Sequence, residues 1–239
     1  NSLYGAILNP GCRFFDKRIG QSTTLTGRQI VKHMSAEVNN CIAGEYDHVG
    51  KSVIYGDTDS VYFSAWPLLK DDIESGKLEW TPEKAITLYD QICEQANTTF
   101  PKFMAEAFHC PKSRSDVIAA GREIVARSGL YITKKRYAAL VTDNEGFRTD
   151  TDGKPGKVKA MGLDLRRSDT PVFMQDFLKE LLLMVLTDVP EKEVLERITE
   201  FRKEFQEMPG WEKGSPKRAN KVGHYQRLEQ KQGKANMPG

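Results

Sequence analysis

Tyr55-Gly56-Asp57-Thr58-Asp59-Ser60 places two carboxylates one residue apart between two β-prone runs. Lys51-Ser52-Val53-Ile54 before it and Val61-Tyr62-Phe63 after it read as short strands, and the Gly-Asp-Thr step reads as a tight turn. Side chains two apart in an extended chain point the same way, so Asp57 and Asp59 are expected to present their oxygens together at a hairpin tip. Like charges held that close repel unless a cation sits between them. Hard oxygen ligands on a rigid hairpin suit Mg²⁺, which is usually held by one or two carboxylates plus substrate phosphates. The chemistry this suggests is metal-assisted phosphoryl or nucleotidyl transfer. Alone, the motif reads equally well as a solvated turn, and sugar-nucleotide transferases also use an Asp-x-Asp. A calcium loop is excluded, because Ser60-Val61-Tyr62 runs straight into a strand where an EF-hand needs a further Asp or Asn and then Gly.

Working outward, Asn1 to Leu8 reads as the last turns of a helix ending before Pro10-Gly11. Ser22 to Cys41 reads as an amphipathic helix, with Ile30, Val31, Met34 and Val38 at three- and four-residue spacing. A further helix starts at Thr81-Pro82, a capping residue followed by proline in the first turn. From Asp116 to Met161 the pattern turns to strands at Val117–Ala120, Tyr131–Thr133, Tyr137–Val141 and Val158–Met161, with a turn at Asp143-Asn144-Glu145-Gly146. Two helices close the pattern: Pro171 to Leu186 behind a Ser168-Asp169-Thr170 cap, and Pro190 to Glu207. Strands flanked by helices without strict alternation predict an α+β fold, an antiparallel sheet followed by a helical lobe joined near Arg167-Ser168.

At 239 residues, 39% hydrophobic and 28% charged, the chain can bury one sizeable core or a core plus a smaller lobe. No apolar run approaches the ~20 residues of a membrane span, and nothing resembles a signal peptide. Cys12, Cys41, Cys93 and Cys110 are scattered without metal-type pairing and read as free thiols in a reducing compartment. Asn97-Thr98-Thr99 fits a glycosylation acceptor, which carries no meaning without secretion. The net charge of +2 hides an asymmetry: from Lys213 onward seven basic residues, among them Lys217, Arg218 and Lys221, face the single acid Glu229. Lys134-Lys135-Arg136 is a second basic cluster, and such patches attract polyanions, nucleic acid above all.

Three segments in order resemble family B DNA polymerases. Asn1-Ser2-Leu3-Tyr4-Gly5 is similar to their Asn-Ser-x-Tyr-Gly motif at the end of the fingers helix, Tyr55–Ser60 to their palm motif, and Lys134-Lys135-Arg136-Tyr137 to their primer-binding strand. Gly121-Arg122-Glu123, Lys159-Ala160-Met161-Gly162 and Ser168-Asp169-Thr170-Pro171 give the resemblance a tailed-bacteriophage flavour. The resemblance implies an antiparallel palm sheet flanked by helices over residues 10–167, preceded by the end of the fingers helix (1–9) and followed by a partial thumb (168–239). It implies addition of a deoxynucleotide from a dNTP to a primer 3′-OH on primer–template DNA, with two Mg²⁺ ions, or Mn²⁺ in their place. Asp59 corresponds to the carboxylate bridging both metals, Asp57 to its weaker neighbour near the primer end, and Glu123 to a further metal-proximal carboxylate. Gly121 departs from the acid the family often has there. Asn1, Ser2, Tyr4 and Gly5 correspond to residues behind the nascent base pair. On a strand, Lys135 and Tyr137 would share one face at the primer terminus, with Lys134 and Arg136 on the other.

Further expectations follow from the resemblance. The upstream carboxylate motif is not in this sequence, so the chain alone is expected neither to hold both metals nor to polymerise. The start at Asn1 suits an upstream polymerase half supplied in cis or in trans, an interruption by an intein, or a shortened gene record. A sliding clamp for the whole protein, no membrane, and the cytoplasm of an infected bacterial host complete the picture. Lys217, Arg218 and Lys221 would track duplex phosphates. DNA affinity in a complete polymerase carrying this tail is therefore expected to fall steeply with salt, and a flat binding titration between about 50 and 200 mM salt removes that role.

Overall fold

A computed structural model describes residues 2–214 and Arg227. Among the described residues there are six α-helices and two sets of paired strands, the α+β class expected from the pattern. The described residues divide into two compact units, one of 2–135 with 139–157, the other of Arg136–Ala138 with those from Val158 onward.

In the first unit α1 (Ser2–Leu8) leads through a tight turn into α2 (Lys17–Ala43). α2 starts five residues before the expected Ser22, because Asp16 caps it by accepting the Arg18 backbone N–H at 2.8 Å. Gly44, at φ 72°, ends it in the left-handed conformation that favours glycine. The strands β1 (Val53–Asp57) and β2 (Ser60–Phe63) form an antiparallel hairpin. α3 (Trp66–Glu74) follows, a helix that the sequence pattern leaves unassigned; nine residues give too few turns for a clear period. α4 (Pro82–Phe108) is capped by Thr81 as expected, its hydroxyl accepting the Lys84 N–H at 3.3 Å. β3 (Ile124–Thr133), β4 (Arg136–Asn144) and β5 (Phe147–Arg148) pair in that order. Glu145 and Gly146, both at positive φ, make the two-residue turn between β4 and β5.

Two strand expectations fail here. Val117–Ala120 is not a strand. At its last residue the backbone is met by a side chain, since the Asn97 amide of α4 both donates to the Ala120 carbonyl at 2.9 Å and accepts the Ala120 N–H at 2.6 Å. Lys134 and Lys135 are not on a strand either. They form the two-residue turn between β3 and β4, with Lys135 at φ 62°, so strand alternation cannot place Lys135 and Tyr137 on one face. Two residues suffice to join antiparallel strands and no others.

The second unit holds β6 (Lys157–Met161) from its second residue on, then α5 (Val172–Leu186) and α6 (Glu191–Glu207); β6 pairs with β4. Phe177 of α5 stacks on Phe201 of α6 with ring centroids 3.6 Å apart, and Arg197 pairs with Glu180 at 2.6 Å. The expected Ser-Asp-Thr cap is absent from α5. Pro171 stands at the cap without a side-chain bond, and Asp169 pairs instead with Arg167 at 2.7 Å.

The core of the first unit lies where α2 and α4 pack together. Phe100 is 1% exposed, and burying such a ring is worth about 2–3 kcal/mol. His33 of α2 is also buried here. Its ring lies flat on Phe103, 4.0 Å between centroids, while Nδ1 meets the Tyr46 hydroxyl at 2.7 Å and Nε2 the Thr99 hydroxyl at 2.9 Å. Burial holds the imidazole below its ordinary value, against a smaller opposite pull from Glu37. The unfolded chain therefore binds a proton near pH 6.5 that the fold refuses. The contribution of His33 is complete above that pH and is lost as pH falls through it. Urea midpoints should drop between pH 7.5 and 5.5, and drop less in His33→Gln; equal slopes in both proteins would contradict this.

Candidate active site

The hairpin is closed by Thr58 and Asp59, because Asp57 of β1 pairs directly with Ser60 of β2. Thr58 sits at φ 28°, and its hydroxyl donates to Asp57 Oδ1 at 3.1 Å. The Ser60 hydroxyl reaches the Asp57 carbonyl at 3.4 Å. Asp59 thus belongs to the turn and not to an extended strand, so the two acids share the hairpin tip through the turn, and alternation along one strand does not place them. Neither is sealed inside the protein: the Asp57 side chain keeps 20% of its surface and Asp59 is exposed.

The bases of β1 and β2 are not in simple register. Val53 pairs with Phe63 but Tyr55 with Tyr62, which leaves Ile54 as a bulge. Bulges increase twist and re-aim the side chains beyond them, and they recur beside functional residues. Past the bulge, Tyr55, Tyr62 and Tyr131 of β3 form a ring cluster with centroids 5.6–5.9 Å apart. The Tyr55 hydroxyl accepts the Lys135 backbone N–H at 2.8 Å, and Lys135 Nζ lies 4.0 Å from Asp57 Oδ2. The basic turn is therefore tied to the acidic turn inside the first unit. Sequence spacing gave no hint of the Tyr55 link, since 80 residues separate its partners.

A cavity of about 600 Å³ adjoins this tip, lined by Asp59, Arg122, Glu123 and Tyr131 together with apolar residues of α2 and α4. Glu123 thus opens on the same space as Asp59. Among the described residues, however, no three His, Cys, Asp or Glu side chains gather closely enough to hold a metal ion by themselves. The donor set that is present, two hard carboxylates at a solvent-open tip, fits a Mg²⁺ completed by substrate phosphates and water. Beneath Glu123, Arg122 is 12% exposed and bonds Asp90 and the nearly buried Asp143. Burial alone would lower the guanidinium pKa, and the two carboxylates outweigh it and raise it.

The remaining expected residues are placed as follows. Ser2, Tyr4 and Gly5 lie exposed on α1, and a side chain at Gly5 would meet open space. Lys134 is exposed in the turn. Arg136 donates to the Gly162 carbonyl at 3.1 Å, and Tyr137 is 3% exposed, part of the core and not of a surface. Asn1, Lys217, Arg218 and Lys221 lie outside the described residues. All four cysteines are free.

A family model described as DNA polymerase family B matches residues 1–70, which include both the Asn-Ser-Leu-Tyr-Gly segment and the acidic hairpin. The chain is 30% identical over 197 residues to the DNA-directed DNA polymerase of Escherichia phage RB69, covering 79% of the chain and 21% of that protein. It is 27% identical over 245 residues to the DNA-directed DNA polymerase of Enterobacteria phage T4, covering 94% of the chain and 25% of the relative. DNA polymerase II of Escherichia coli (strain K12) is 27% identical over 81% of the chain and 22% of its own length. The chain belongs to the family B DNA polymerases, and it spans about a fifth to a quarter of the length of these relatives.

Arg122→Met should cost about 3–5 kcal/mol in denaturant unfolding, because it strands Asp143 as a buried, unpaired charge. Arg122→Met with Asp143→Leu should recover most of that loss, and a double variant as unstable as the single one would show that packing, not charge, holds this corner.

Proposed function

We propose that the chain carries part of the catalytic centre of a template-directed DNA polymerase, in which a deoxynucleotide passes from a dNTP to a primer 3′-OH. The observation that carries this reading is the open tip that presents Asp57 and Asp59 beside the Lys135 turn, within a sequence related to DNA-directed DNA polymerases. Residues 1–9 correspond to the end of the fingers, 10–167 to the palm and 168–239 to the start of the thumb.

Asp57 and Asp59 would supply part of the ligand set for two Mg²⁺ ions, the rest coming from an upstream polymerase carboxylate, substrate phosphates and water, with Glu123 lining the same cavity as Asp59. When bound, the metal supplies charge neutralisation for the attacking hydroxyl and the departing pyrophosphate. The chain's own groups do the positioning. Thr58 holds the Asp57 carboxylate, Ser60 holds the Asp57 carbonyl, and the Tyr55 hydroxyl fixes the backbone of Lys135. Lys135 then offers a cation next to Asp57, where it can meet acceptors that every base pair presents in the minor groove, without reading sequence. Tyr4 and Gly5, exposed on α1, offer a flat ring and an open face against which a correctly shaped base pair could rest.

Asp59→Asn in a complete polymerase should lower the rate of single-nucleotide addition by about 10²- to 10³-fold or more, with primer–template affinity retained. A module that only binds nucleic acid would show no Asp59-dependent synthesis at all. An unaltered rate in Asp59→Asn would assign the acidic tip a purely structural role.

A further inference from the structure

We infer that Asn39, on α2 and remote from the carboxylates in sequence, is a positioning residue that sets the angle of the catalytic hairpin; the inference rests on the polymerase reading above. In the sequence Asn39 reads as a residue suited to the end of this helix; the helix runs on to Ala43, and Asn39 is 0% exposed within it. Its amide makes two bonds of opposite polarity. Nδ2 donates to the Asp47 carbonyl at 3.2 Å, and Oδ1 accepts the Ser52 backbone N–H at 3.3 Å. One partner can only accept and the other can only donate, so the amide's orientation is fixed by chemistry. The isosteric carboxylate could serve Ser52 but would set an oxygen against the Asp47 carbonyl.

These two bonds pin both ends of the strap 45–52, which runs from the end of α2 to the start of β1. Gly50 in the middle of the strap lies directly on the amide. A Cβ built there would stand 1.4 Å from Asn39 Nδ2, so only glycine lets the strap approach. Ser52 is the pivot. Its N–H goes to Asn39, while its carbonyl accepts the Ser64 N–H at 2.8 Å, which closes the base of the hairpin just past β2. His33, nearly two turns earlier on α2, holds the strap at Tyr46. The hairpin is therefore anchored on α2 at its root, while its tip is open.

Geometry makes that root matter. Ser52 to Asp57 spans about 16 Å of extended chain, so a tilt of roughly 4° at Ser52 moves the tip by about 1 Å. A misplacement of that size can cost about 10²-fold in rate. Loosening Asn39 should thus act on catalysis far more than on the overall fold.

The test uses a complete polymerase carrying Asn39→Asp or Gly50→Ala, with Ile92→Ala as a destabilised control, since Ile92 is buried on α4 and is neither part of the strap nor among the residues that line the cavity. Measured are the single-turnover rate of nucleotide addition, the half-saturating Mg²⁺, primer–template affinity, thermal midpoint and hydrogen exchange of the peptide 48–57. Asn39→Asp should slow addition about 10- to 100-fold, raise the half-saturating Mg²⁺ several-fold and speed exchange in that peptide, while DNA affinity stays within about 2-fold. Ile92→Ala should lower the thermal midpoint without moving the Mg²⁺ dependence. Should Asn39→Asp fail to fold, Gly50→Ala carries the same comparison, because it displaces the same amide from the strap side. Wild-type rate and Mg²⁺ dependence in the folded variant, or changes no larger than those of Ile92→Ala at equal loss of stability, overturn the inference. If Asp59→Asn also leaves the rate unchanged, it is the polymerase reading that has failed; if Asp59→Asn abolishes addition while Asn39→Asp does not, only the positioning role has.

Discussion

Two carboxylates at the tip of one hairpin repel each other, and a tight turn alone would let them swing apart toward water. What holds Asp57 at the tip is a set of directional hydrogen bonds around it. Thr58 donates to Asp57, Ser60 holds the Asp57 carbonyl, and the Tyr55 hydroxyl brings the Lys135 turn within 4.0 Å of the same acid. The cation offsets part of the repulsion, and exposure of the tip leaves the rest to be met by whatever charge approaches from solvent. A preorganised site of this kind is costly to hold empty, which is why its supports reach back into rigid helix.

Those supports are of two chemical kinds. On the side of α2 they are neutral: an amide, an imidazole and a glycine chosen for the space it leaves. On the side of β3 and β4 they are ionic, with Arg122 held between Asp90 and a nearly buried Asp143. A neutral amide with fixed donor and acceptor ends carries geometric information without the desolvation cost of a buried charge. The ionic corner lies below Glu123, where a guanidinium can lock a loop whose residues 117–120 have no sheet partner.

How much of this could be read from the chain alone differs from element to element. The helices around Met34 and Ile92 announced themselves through apolar periodicity and the strand around Leu140 through an unbroken apolar run, both of which are local. So did the acidic tip, because turn chemistry and β-branched flanks sit within a dozen residues. Val117–Ala120 looked like a strand by composition and is none; the backbone N–H and carbonyl of Ala120 are taken by Asn97, some twenty residues away. The basic segment looked like continuous strand, yet Lys134 and Lys135 turn the chain, and Tyr137 is spent on the core. Trp66–Glu74 was too short to show a period. For Asn1 and the basic run at Lys217, Arg218 and Lys221, only the sequence speaks.

The α+β class, the family likeness and the two acids of the hairpin depend on residue type and spacing over short stretches, so the chain's order of residues is enough to specify them. Which groups surround those acids is a matter of packing. Asn39 under Ser52, Gly50 against Asn39, Tyr55 beneath Lys135 and Asp143 on Arg122 are encounters between residues far apart in the chain or facing across it. No periodicity encodes them; they exist because helix and strand packing brings particular donors and acceptors into hydrogen-bonding reach, and a buried polar group must take the partner it finds there.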